Sequence, residues 1–144
     1  MNPLVEQLLI GSGMIAGTLV LQVVFVAVAI RVLDRFGGWI SGPPVIVKIS
    51  VALTCLVLWL VLGISISTWA WALMFLYVDA LTLLEESLYF ATVTFTTLGY
   101  GDIVLSQSAR LLASMCAVNG LIVFGLNTAF LIEFIVRLRA SEDS

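Results

Sequence analysis

The chain has 144 residues, 62% of them hydrophobic and 10% charged, with a net charge of -3 and no histidine. That much apolar surface does not fit into the core of a water-soluble domain of this size, so lipid is the expected solvent. Six dispersed basic residues argue against nucleic acid as a partner. The two cysteines, Cys55 and Cys116, sit inside apolar runs and read as packing residues rather than metal ligands or nucleophiles.

From about Leu8 to Ile30 the sequence is apolar for long enough to cross a bilayer. The residues before it carry Glu6 and no positive charge, so the segment reads as a retained span rather than a leader peptide. Gly13 and Gly17 predict a flat stripe for close helix contact, and Gln22 predicts a hydrogen bond to a neighbouring helix. Arg31 to Lys48 reads as a connector containing Gly42-Pro43-Pro44, which no helix interior tolerates. Residues 1–44 are thus an N-terminal transmembrane helix and its connector.

A second span is expected from about 45 to 76, with Trp69, Trp71 and Tyr77 forming an aromatic belt at one interface and Trp39 at the other. The apolar run is too long for one perpendicular crossing, which predicts a tilted helix or an end lying on the membrane surface. Thr82-Leu83-Leu84-Glu85 reads as a capping box that opens a helix over about 83–96. At roughly 20 Å this helix is too short to span, so it is expected to be re-entrant. A last span covers about 110–136. On a helix, Leu121, Phe124, Thr128 and Ile132 share one stripe. Asn119 and Asn127 lie off it and read mainly as interhelical hydrogen-bonders, with ion contact the alternative. Glu133 and Arg137 read as an i to i+4 pair.

Residues 139–144 form a short tail, which predicts no attached ligand-binding domain, and no arginine repeat suggests a voltage sensor. With three spans and one re-entrant loop, Arg31, Arg35, Lys48, Arg137 and Arg139 share one side and Arg110 stands alone on the other. The positive-inside rule then puts the amino terminus outside and the carboxyl terminus in the cytoplasm.

Between the short helix and the last span runs Thr96-Thr97-Leu98-Gly99-Tyr100-Gly101-Asp102, a string that resembles the selectivity filter of potassium channels. Glycine enters the left-handed backbone region without a Cβ penalty, which lets successive carbonyls face one side. Over about Lys48 to Val136 the chain is similar to the outer helix, pore helix, filter and inner helix unit of bacterial potassium channels. The resemblance implies an all-α membrane protein whose pore domain occupies 45–138 with the filter at 97–102. It also implies a homotetramer in the bacterial inner membrane.

In that resemblance K+ binds to oxygens of Thr97, Leu98, Gly99 and Tyr100, supported by Thr96, Gly101, Asp102 and Tyr89. Leu121, Phe124, Thr128 and Ile132 face the aqueous cavity, with Thr128 and Ile132 at the inner gate, and Gly120 falls on the hinge position. The partners are K+ and the lipid bilayer, with no cofactor, and gating comes from the pore itself, from lipid or tension, or from a separate regulatory chain.

Four features depart from the family pattern. An extra span precedes the unit. Leu98 stands where Val or Ile is usual, and Val93 stands where some members carry a Glu paired with the filter Asp, so Asp102 needs another partner, for which Tyr89 is the candidate. No proline follows Asp102 within Ile103-Val104-Leu105-Ser106. Competing readings are a potassium-transporter subunit, which usually keeps only the first filter glycine, and a non-conducting accessory subunit. An enzyme has no residue constellation to rest on.

Overall fold

The protein is described by a computed structural model covering residues 3–40 and 45–142, with side chains over 4–35 and 46–136. The described residues form four α-helices: α1 (Pro3–Ile40), α2 (Val45–Tyr77), α3 (Leu84–Phe95) and α4 (Arg110–Glu142). Three of them carry stretches long and apolar enough to cross a membrane, Leu4–Arg35, Ile46–Tyr77 and Arg110–Val136. The fourth, α3, has 12 residues and a length of about 18 Å. The described residues form no strand, and three long apolar helices mark a membrane protein.

The first helix continues past Arg31, where a connector was expected, through Gly37 and Gly38 to Ile40. Glycine inside a helix costs only about 1 kcal/mol relative to alanine, whereas proline stops it. The helix therefore outlasts the change in composition and ends before Pro43. Similarly, α2 is a single uninterrupted helix of 33 residues, and α4 runs six residues beyond 136. The end of α2 is closed by Asp79 in the left-handed region at φ 53. The Ala80 N–H donates to the Phe75 carbonyl (3.0 Å) and the Asp79 N–H to that of Leu76 (3.0 Å), a Schellman closure with aspartate where glycine is usual.

Helix α1 packs along both α2 and α4, while α2 and α4 touch each other only sparsely, and α3 lies against both of them. Near α3 the core holds Trp71, Phe75, Phe90, Phe95, Leu112, Cys116 and Val123. Trp71 is fully buried there, so it belongs to the core and not to an interfacial belt. Its ring meets Phe75, which in turn meets Phe90 edge-on. Trp69 and Tyr77 are exposed, and the side chain of Trp39 lies outside the described residues. A second cluster of Ala29, Leu56, Leu60 and Phe134 closes the other end of the bundle.

In this apolar setting the hydroxyls of Ser50, Thr54, Ser65, Ser67, Thr68, Thr92, Ser114 and Thr128 each donate to the carbonyl four residues earlier. That local bond satisfies a hydroxyl where water is scarce. Among the described residues of the single chain, a Cβ on the expected Gly13 and Gly17 stripe would meet nothing within 4 Å. The close approaches fall instead at Gly11, against Met115 and Leu112 of α4, and at Gly63 of α2, against Gln22 and Phe25.

Candidate functional site

Helix α3 positions the glycine-containing string. Its N-cap is Leu83, with no side-chain cap bond, which corrects the expected capping box. With Leu83 at the cap, Thr82 stands one place too early and Glu85 at N2 rather than N3, out of reach of the reciprocal geometry. Glu85 and Glu86 still lie in the first turn, where negative charge meets the positive end of the helix dipole.

At the other end the threonines close the helix. The N–H and the hydroxyl of Thr96 both donate to the Thr92 carbonyl (3.0 and 2.8 Å), and the Thr97 N–H donates to that of Thr94 (2.9 Å). The chain then doubles back along α3. The Gly99 N–H donates to the Val93 carbonyl (3.2 Å), and further on Asp102 lies opposite Tyr89. The carbonyls of Thr92, Val93 and Thr94, near the end of α3, are thus satisfied by the segment that follows them.

Along that segment φ is positive at every second residue: Thr97 (60), Gly99 (55) and Gly101 (78), with Leu98 and Tyr100 in ordinary regions between them. Alternation of this kind turns successive carbonyls to one side. A Cβ at Gly99 or Gly101 would meet nothing within 4 Å, so glycine is required there by conformation and not by space. Thr97 takes the same backbone region with a β-branched side chain, a strain of about 1–3 kcal/mol. Sequence reasoning missed this, although counting back by twos from Gly101 through Gly99 lands on it. Thr97 to Gly101 are all exposed in the single chain, including Leu98 at 55% and Tyr100 at 69%.

The Tyr89 hydroxyl donates to Asp102 Oδ2 at 2.7 Å, and the Ile103 N–H donates to Oδ1 at 3.1 Å. The bond from Tyr89 is the main cause that holds the Asp102 carboxyl below its ordinary range. The same bond, more than burial or the charge of Asp102, raises the Tyr89 phenol. Val93 is buried and contributes its carbonyl to the segment.

Helix α4 passes behind α3. At Gly120 a Cβ would fall on the Phe95 carbonyl, so this glycine is the crossing point of two backbones, and α4 runs through it without a break. One turn on, Phe124 meets Phe95 edge-on at 6.1 Å. Leu121, Phe124, Thr128 and Ile132 all lie on an exposed side of α4, and more than half of Leu121 (60%) and Ile132 (58%) is uncovered in the single chain. Asn119 and Asn127 are buried on another face and bond to α1: Asn119 Nδ2 donates to Thr18 Oγ1 and Gln22 Nε2 to Asn127 Oδ1, both at 2.6 Å. They are therefore interhelical hydrogen-bonders, and Gln22 is the partner expected of a neighbouring helix. The Arg137 side chain, and with it the pairing to Glu133, lies outside the described residues.

A short helix, a segment with positive φ at every second residue and a long apolar helix crossing behind them in one unit agree with the comparison by sequence. A family model described as an ion channel matches residues 54–137, more than half of the chain. The chain belongs to this ion-channel family. The match to the channel family begins within α2 and ends in α4, so it contains α3 and the whole 96–102 segment and leaves α1 outside. No curated protein and no solved structure matches the chain.

Proposed function

We propose that four copies of this chain assemble around a common axis as a potassium-selective channel. A single copy offers one strand of oxygens, and a dehydrated ion needs a ring of them at each level. In this reading α3 is re-entrant, and the oxygens of Thr97, Leu98, Gly99 and Tyr100 replace the water shell of K+. The carboxyl end of α3 turns its negative dipole end toward the inner mouth. Thr96, Gly101, Asp102 and Tyr89 hold the strand. Leu121, Phe124, Thr128 and Ile132 line the cavity and the inner gate, and Gly120, as the crossing point, is where α4 pivots. The amino terminus is outside and the carboxyl terminus cytoplasmic, in a bacterial inner membrane.

The observation that carries the proposal is positive φ at residues 97, 99 and 101, within a string that is uncovered in one chain. Its amide at Gly99 is tied back to α3, which leaves the opposite side for ions. A transporter subunit or a non-conducting accessory subunit would need no such complete alternation. The test is flux through the purified chain in liposomes. K+ and Rb+ should pass at least tenfold faster than Na+, with block by Ba2+. Equal K+ and Na+ flux, or a monomer in lipid, would overturn the proposal.

A further inference from the structure

The two ends of α4 are held differently. Toward α3 it is fixed by the Gly120 crossing, by the Phe95–Phe124 contact and by Gln7 of α1, whose Oε1 accepts from the Leu111 N–H at 3.2 Å. Over its whole length α4 touches α2 only sparsely; beyond Phe124 it shares with α1 and α2 the small cluster of Phe134 with Ala29, Leu56 and Leu60, and its polar bonds go to α1. The two helices run parallel, with Gln7 beside Leu111, Gly11 beside Met115, Thr18 beside Asn119 and Gln22 beside Asn127 in chain order.

Gln22 stands where three helices meet. It is fully buried. Its Nε2 binds Asn127 of α4, while its Oε1 has no donor among the described residues and faces Gly63 of α2 so closely that a Cβ there would lie 2.8 Å away. One turn on, Phe25 locks α1 to α2: its ring stacks on Trp59 at 4.6 Å and its carbonyl accepts from Trp59 Nε1 at 2.9 Å. Thr18 is fully engaged, accepting from Asn119 and donating to the Met14 carbonyl at 2.8 Å.

We infer that α1 is the bracket through which α2 holds the distal half of α4, and that Gln22 is a positioning residue for the permeation path, although it touches no ion. The inference rests on the proposed conduction, because the exposed stripe of α4 borders the path only in that reading. Any change in the tilt of the distal half must break or carry the Gln22–Asn127 bond. A buried interhelical bond of this kind biases such an equilibrium by about three- to fifteen-fold per subunit.

Single-channel recording in planar bilayers tests this with Gln22→Leu, Asn127→Leu, both together, and Gly63→Ala, which pushes on Gln22 from α2 and leaves the bonded pair intact. Each single change should alter open probability at least threefold, with unitary current and K+ over Na+ selectivity unchanged. The double variant should match either single one, and exchanging the amides (Gln22→Asn with Asn127→Gln) should restore wild-type gating. Wild-type open probability in all variants, or effects that add in the double variant, overturns the inference.

A second measurement does not depend on conduction. Spin labels at Val51→Cys on α2 and Ile135→Cys on α4, in a Cys55→Ser background diluted with unlabelled chain, report the position of the distal half. The distance distribution should shift or broaden in Gln22→Leu and in Gly63→Ala. An unchanged distribution overturns the inference, whereas absence of wild-type K+ flux overturns the proposed function and leaves this distance test decisive.

Discussion

Glycine serves opposite purposes at the 96–102 segment and at the helix crossing behind it. At Gly99 and Gly101 the backbone is left-handed and the surroundings are open, whereas at Gly120 the backbone is ordinary helix and the neighbouring carbonyl leaves no room for a Cβ. One position is glycine for its dihedral freedom and the other for its size. The same letter in the sequence therefore carries two separable predictions, one about conduction and one about folding.

The largest effect is expected from Gly101→Ala. Left-handed alanine costs about 1–2 kcal/mol, which a folded bundle survives. The strand would relax by turning its carbonyls, so K+ over Na+ selectivity should fall at least tenfold while helix content is unchanged by circular dichroism. Gly120→Ala should do the reverse. Overpacking against a backbone carbonyl costs about 1–3 kcal/mol or more, and the readout is a lower midpoint of thermal unfolding in detergent. If Gly120→Ala melted like wild type, the crossing would be looser than described.

A smaller and mixed effect is expected at Thr97. Thr97→Gly relieves the left-handed strain, a gain of about 1 kcal/mol, yet removes the hydroxyl proposed for the innermost ion site. Stability should rise slightly while Ba2+ block weakens several-fold. Thr97→Ser, which keeps the oxygen, should retain more of the block than Thr97→Cys.

The smallest effect concerns Tyr89 and Asp102. Because the Asp102 carboxyl is held low, its bond contributes stability that is complete above the ordinary carboxylate range and lost as pH falls through the depressed value. Because the Tyr89 phenol is held high, its contribution is complete below the ordinary phenol range and lost as pH rises through the elevated value. Steady K+ current should therefore be flat between about pH 5 and 9. Tyr89→Phe should speed the decay of current during sustained opening at every pH in that window, and unchanged decay would remove Tyr89 from the support of the segment.

Much of this was legible in the residues, for identifiable reasons. Long apolar runs announce helices because lipid leaves the backbone no other satisfied conformation, and the glycines of 99 and 101 mark a backbone need that is local. The partnership of Tyr89 with Asp102 was reachable because Val93 cannot donate a hydrogen bond. What failed depended on packing or on a shift of one residue. The Thr82 box missed its register by a single position, and Gly37 with Gly38 looked like a terminus although glycine only weakens a helix. Trp71 looked interfacial, yet packing buries it fully in the core cluster. The place of α1 was illegible because Gly13 and Gly17 advertise a contact that Gly11 and Gly63 make, and nothing local distinguishes the two pairs.

The parallel packing of α1 and α4 bears on how the chain is made. Asn119 and Asn127 bring amides into a span that must leave the translocon for hydrocarbon, an unfavourable step for an isolated helix. Thr18 and Gln22 have by then been synthesised and inserted, at matching depths, so the last span enters against a template already waiting in the bilayer.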